Sequence, residues 1–222
     1  MITNKIGSER LTFPNNDKRY SETKVAKSLN LIENKSNNKK NKTRCKTKKH
    51  KAMGKYKNIE EFAAARAKFF ESHPDAPVAE DIECLNLVMK REYAEQILAG
   101  TKKLEFRDYK PFYIKKLIDP DVADYVQEHI DDDEVLTFCN DIRQVGKIHF
   151  YNYNRSWYLD VEVTFNDAFC INKMDVERLQ KQYGCHDFDD DLKQMEATKV
   201  PDEERPWLFF FVCGKVLGTD LK

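Results

Sequence analysis

Two apolar periods run along this chain, one near 3.6 residues and one of two, and they divide it into elements. The first appears in NIEEFAAARAKFFESHP, where Ile59, Phe62, Ala63, Arg66, Phe69 and Phe70 keep helical spacing. Asn58 is placed to cap this helix, with Glu61 three residues on, and Pro74 and Pro77 end it. From Ile82 the period becomes two: Leu85, Leu87 and Met89 alternate with Asn86 and Val88, as in a strand with one face more buried. REYAEQILA returns to helical spacing, with Tyr93, Ala94, Ile97 and Leu98 on its apolar side and Gly100 as the expected left-handed stop. The next segment is extended again, placing Leu104 and Phe106 on one face and Lys103, Glu105 and Arg107 on the other.

An acidic connection follows, DPDVADYVQEHIDDDEV, with room for a short helix. The pattern then predicts strands at VLTFC (135–139) and QVGKIHFYNY (144–153), a hairpin loop at NYNRS (152–156), and the clearest strand of all at WYLDVEVTF. In that strand Trp157, Leu159, Val161, Val163 and Phe165 share one side. MDVERLQKQYG is a candidate helix stopped by Gly184, DDDLKQMEA is a second, and WLFFFVCGKVLG is a closing strand apolar on both faces. Short antiparallel strands with a few short helices predict an α+β, barrel-like architecture. No glycine-rich phosphate loop is present, which argues against a P-loop or dinucleotide fold.

Charge changes this picture at one end. Residues 1–57 carry 17 Lys and Arg against 4 Asp and Glu, while the remaining 165 residues carry 21 against 34. The zero formal net charge therefore hides a basic tail and an acidic body. Residues 1–52 are rich in Lys, Asn, Ser and Thr and too poor in apolar residues to offset the entropy of ordering, so they are expected to be a disordered tail. Residues 53–80 then form a helix and linker, and 81–222 the barrel-like domain. The tail could add salt-dependent, non-specific affinity for nucleic acid, or it is only a solubilising extension. No run approaches the about 18 apolar residues of a membrane span, and a secretory leader pattern is missing. The six cysteines are scattered without a C-x-x-C pair, which suits a reduced, cytoplasmic setting. Cys185-His186-Asp187 has no second ligand pair at a zinc-like spacing, so no metal is expected.

Two places carry candidate chemistry. AGTKKLEFRDY gathers Lys102, Glu105 and Arg107 just after the helix-stopping glycine. Arg offers a planar fork for phosphate or a base edge, Lys a compact point charge, and the acid can hold the guanidinium or accept a base amino group. The plainer reading is an outward charged strand with a Glu105 to Arg107 cross-brace. The second place is the aromatic cluster Phe150, Tyr151, Tyr153, Trp157 and Tyr158 around Arg155. Such residues stack on bases, or pack across a hairpin. Tyr153 and Arg155, in the loop, are the ones expected to be exposed and ligand-binding.

The run LNLVMKREYAEQILAGTKKLEFRDYKPFY resembles the signature region of ASCH (activating signal cointegrator homology) domains, a group within the PUA-like β-barrels. The matching features are a strand, a short helix ending in Ile97-Leu98-Ala99-Gly100, and Lys102, Glu105 and Arg107 at the family's offsets. FFFVCGKVLG is similar to the apolar closing strand with its following Gly-Lys. The resemblance spans about residues 82–218, with a longer insertion after the signature than in the shortest members. It implies a small PUA-like β-barrel with short flanking helices, and an RNA, nucleotide or nucleoside ligand in a cleft lined by Lys102, Glu105 and Arg107, without a cofactor. Some relatives are amidohydrolases of acylated cytidine that use a Lys, a Thr and a Glu. Here Lys102 matches the lysine, Glu105 stands where the threonine would be, Thr101 is not at the matching offset, and the third residue has no aligned counterpart. Other relatives are ribonucleases. If this chain turns over its ligand, Lys102 and Glu105 are the catalytic candidates for a hydrolase of acylated nucleoside or RNA. A protein-interaction scaffold is the third reading, which leaves a protein partner open. The acidic body repels long nucleic acid unless a local basic groove or the tail offsets it, which favours a short or neutral ligand.

Overall fold

The computed structural model describes Tyr56 and residues 58–221, without the Ile59 side chain. The expected disordered tail lies outside the described residues. The elements run α1 (Ile59–Ser72), β1 (Ile82–Val88), α2 (Arg91–Leu98), β2 (Leu104–Asp108), α3 (Pro111–Leu117), α4 (Pro120–Glu128), α5 (Asp133–Phe138), β3 (Val145–Tyr151), β4 (Tyr158–Cys170), α6 (Lys173–Tyr183), α7 (Asp189–Ala197), a 3-10 turn (Asp202–Glu204) and β5 (Trp207–Thr219).

The expected caps form. Asn58 accepts from the Glu61 N–H at 2.8 Å, and Gly100 and Gly184 end α2 and α6 with φ of 72° and 65°. One predicted strand is a helix instead: VLTFC lies mostly in α5, because the Asp132 carboxylate accepts from the N–H groups of Glu134 and Val135 and starts a helical turn. Val135 and Phe138 then pack with Phe69 and Val122, so α1, α4 and α5 share a separate apolar cluster.

The strands form one mixed sheet in the order β1-β3-β4-β5-β2. β1 pairs parallel with β3, and all the other pairs are antiparallel. This α+β sheet is not closed into the barrel that was expected. The register shows why: β3 lies along Tyr158–Glu162 of β4, whereas β2 pairs with Leu208–Val212 of β5, which in turn faces the far half of β4. The two edges are therefore offset along the β4–β5 ribbon. Among the described residues they are joined through a side chain, with Arg107 Nη2 of β2 donating to the Val88 carbonyl of β1 at 3.1 Å.

One face of the sheet holds the main core: Leu85, Leu87, Ile148, Phe150, Leu159, Val161, Phe209 and Phe211, with Ala94 and Ile97 of α2. The far half of the ribbon is covered on its other face by α6 and α7, through Leu104, Phe169, Val176, Leu179 and Phe210. Strand β4 keeps its predicted inward side as far as Val163. Register shifts at Val163/Phe165 then turn Phe165 outward, 43% exposed, and bury Asn166. The Asn166 side chain accepts from the Val145 N–H at 2.8 Å and donates to the Arg143 carbonyl at 3.0 Å, satisfying the start of β3.

Candidate functional site

The corner between α2 and β2 is shaped first by backbone. After left-handed Gly100, the N–H groups of Thr101 and Lys102 both donate to the Gln96 carbonyl, at 3.0 and 3.1 Å, and fold the chain back onto the helix. Thr101 Oγ1 donates to the same carbonyl at 3.1 Å and is tied to the helix end. The Lys102 Nζ consequently lies between α2 and β2, 5.5 Å from the centroid of the Tyr93 ring and 5.7 Å from that of Phe106.

Strand β2 is not polar-outward as its alternation suggested. Both of its faces are covered, and Glu105 and Arg107 are paired with Phe211 and Phe209, on the side of the main core. Leu104 and Phe106 face the α6–α7 layer instead, where the Phe106 ring meets Phe169 and Phe188. The three predicted charged residues therefore come together. Lys102 Nζ lies 3.5 Å from Glu105 Oε2, and Arg107 Nη1 donates to Glu105 Oε1. Their side chains are 19%, 6% and 16% exposed for Lys102, Glu105 and Arg107.

Burial pushes the Glu105 carboxyl above its ordinary range, against the opposing pull of Arg107 and then Lys102. Arg107 is spent internally: besides Glu105, Nη1 also donates to the Phe106 carbonyl at 3.0 Å and Nη2 holds Val88. Its buried Nε has no hydrogen-bond partner among the described residues. The guanidinium is thus a brace that fixes Glu105, while Lys102 keeps the more open position. Cys213 adds a thiol to this corner that the sequence reading did not single out. Burial and the Glu105 charge push it up to about 12, so it is a thiol rather than a thiolate at neutral pH.

The other predicted ligand-binding residues lie on the β3–β4 loop, in a different part of the sheet. Tyr153 is 92% exposed, and Arg155 is exposed with its guanidinium carbon 5.6 Å from the Tyr151 ring centroid. Phe150 and Trp157, grouped with them in the sequence, are core residues. An open hollow lies here, lined by Asn86, His149, Tyr151, Arg155, Trp157 and Tyr158, and none of Lys102, Glu105 and Arg107 lines it. His149 and Asn86 were missed. The expected loop at 152–156 sets His149 opposite Leu159, one residue short of the observed register, in which Tyr151 faces Tyr158 and His149 faces Asp160.

No group of three or more His, Cys, Asp or Glu side chains suited to a metal is gathered among the described residues. None of their helices is long and apolar enough to cross a membrane. No family model matches this chain, and no curated protein does. Among solved structures it is similar to a serine-to-alanine mutant of ZmASCH from Zymomonas mobilis, at 14% identity and a TM-score of 0.32, over 61% of this chain and 70% of that one. A likeness of that degree assigns neither a family nor an activity.

Proposed function

We propose that this protein binds a nucleoside or nucleotide, free or as part of a short RNA, at the Lys102–Glu105–Arg107 corner, as its sequence resemblance to ASCH domains implies. The observation that carries this reading is a carboxylate only 6% exposed, held between two cations on the inward face of an edge strand. Such a triad is a poor stabilising device, because desolvating three charges costs about as much as their attraction returns, and apolar residues of equal size often serve stability better. Clusters of this kind, with an acid displaced from its ordinary pKa, gather at functional sites. Lys102 is the group that meets a phosphate or carbonyl oxygen, Glu105 accepts an amino hydrogen of a base, and Arg107 holds Glu105 in place. Among the described residues no cysteine is joined in a disulfide, which suits a reduced, cytoplasmic setting.

Hydrolysis of the same ligand class is the second reading, favoured by Glu105 itself. A carboxyl raised by burial is suited to hand a proton to a leaving group. Both readings are tested with the full chain against nucleosides, nucleotides and short RNAs, followed by product analysis with acylated cytidines and labelled RNA. Lys102→Ala is expected to weaken binding about tenfold, the loss typical of one charge-assisted contact. Unchanged affinity in that variant overturns the site, and product formation that survives Lys102→Ala and Glu105→Gln overturns hydrolysis there.

A further inference from the structure

The hollow on the β3–β4 hairpin is chemically distinct from the corner and is not used by the function proposed above. It lies on the outer face of β1, β3 and β4. Leu85, Leu87, Ile148, Phe150, Leu159 and Val161 point into the core, so the alternate residues Asn86, His149, Tyr151, Tyr158 and Asp160 project the other way. Register sets Asn86 beside His149, His149 beside Asp160, and Tyr151 beside Tyr158. His149 Nδ1 meets Asp160 Oδ1 at 2.5 Å, which fixes the ring and leaves Nε2 for a ligand. The His149 ring centroid is 5.6 Å from that of Tyr158 and 5.7 Å from that of Tyr151, with interplanar angles of 21° and 31°. The His149 and Tyr158 rings, near parallel, and the tilted Tyr151 ring thus line a hollow of about 410 Å³, within the range of small-molecule sites.

The loop supplies a cation and holds it there. Arg155 is in the left-handed region, with φ 53°, a conformation that favours glycine. It is kept there by a built turn: the Arg155 N–H donates to the Asn152 carbonyl at 3.0 Å, the Ser156 N–H donates to Asn152 Oδ1 at 2.8 Å, and Asn152 Nδ2 donates to Ser156 Oγ at 2.7 Å. This turn holds the exposed Arg155 guanidinium at the rim of the aromatic hollow.

We propose that this hollow is a second ligand site, for one nucleoside monophosphate unit. The base lies against the His149, Tyr151 and Tyr158 rings, Asn86 reaches the base edge with its amide, and Arg155 takes the phosphate. The same chemistry comes from a free nucleotide or from one residue of a single strand.

The test uses the full chain carrying Trp207→Phe, so that Trp157 is its one fluorescent tryptophan, titrated with the four ribonucleoside monophosphates, the matching unphosphorylated nucleosides, and oligo(A) and oligo(U) ten-mers. Arg155→Gln is expected to weaken monophosphate binding about tenfold and leave nucleoside binding within about twofold, because only the phosphate contact is removed. Tyr158→Leu is expected to weaken both about tenfold through lost stacking. Circular dichroism and thermal melts establish that each variant is folded. Binding of the ten-mers alone identifies a strand residue as the source and binding of monophosphates alone a free nucleotide, and either outcome supports the site when the hairpin variants weaken it. Affinities unchanged in both variants overturn the proposal, as does binding lost only in Lys102→Ala, or no binding of any probe. Because Lys102, Glu105 and Arg107 stay intact in the hairpin variants, failure here is separable from failure at the corner.

Discussion

Replacing Arg107 with alanine should destabilise the protein in a way that depends on pH, with a sign set by Glu105. The substitution removes the Nη1 contact to Glu105 and the Nη2 bond to the Val88 carbonyl. At alkaline pH it leaves a carboxylate 6% exposed with Lys102 at 3.5 Å as its remaining cation. Stranding one member of a buried ion cluster costs about 3–5 kcal/mol, and Lys102 brings this toward the lower end, about 3 kcal/mol. A proton on Glu105 relieves most of that. Burial already raises this carboxyl, and Arg107 is the largest of the pulls that oppose the rise, so its loss raises the carboxyl further. An acid whose folded pKa exceeds its unfolded one favours folding fully below the unfolded value and loses that contribution as pH rises through the folded value. At pH 5 the expected cost is therefore about 1–2 kcal/mol, chiefly the unpaired Val88 carbonyl and lost packing. Urea unfolding followed by tryptophan fluorescence, for wild type and variant at pH 5 and pH 8, measures it directly. With about 2 kcal/mol per molar of urea, the midpoint should fall by about 1.5 M at pH 8 and by about 0.5–1 M at pH 5. A deficit equal at the two pH values, or larger in acid, refutes the picture of Glu105 as a buried charge held by Arg107.

Substitutions at two further positions probe the frame around this corner and the start of β3. Asn166→Ala should cost about 2–3 kcal/mol, because it strands the Val145 N–H and the Arg143 carbonyl together, and urea midpoints check this. Gly100→Ala should cost about 1 kcal/mol through its φ of 72°, with open space around the added Cβ, and Gly100→Asn should cost less; thermal melts distinguish the two.

Much of the fold was legible because local signals agreed with the tertiary arrangement. Asn58, Gly100 and Gly184 were readable as caps, since side-chain and left-handed capping are local chemistry. The alternation of β1 and of β4 as far as Val163 was readable because one side of each fills the main core. VLTFC was misread as a strand, because its apolar run has no period of its own and the Asp132 cap that makes it helical precedes it. Phe165 was misplaced by a bulge that leaves no mark in the apolar pattern. A closed barrel was expected where the sheet stays open, because closure depends on where β2 and β3 fall along the ribbon, a relation between distant segments. At the corner, residue types and spacing singled out three side chains that the fold brings together. Their inward direction was hidden, since a strand covered on both faces shows its charged side to the sequence just as an exposed strand would.

The measurement that tests the central claim most directly is an NMR titration with a nucleotide panel, following the Glu105 side-chain carboxyl and Lys102 Nζ resonances. The account predicts that both move together and saturate with at least one ligand, and that the Glu105 shift is lost in Lys102→Ala. Saturable binding seen elsewhere while both signals stay still would contradict it.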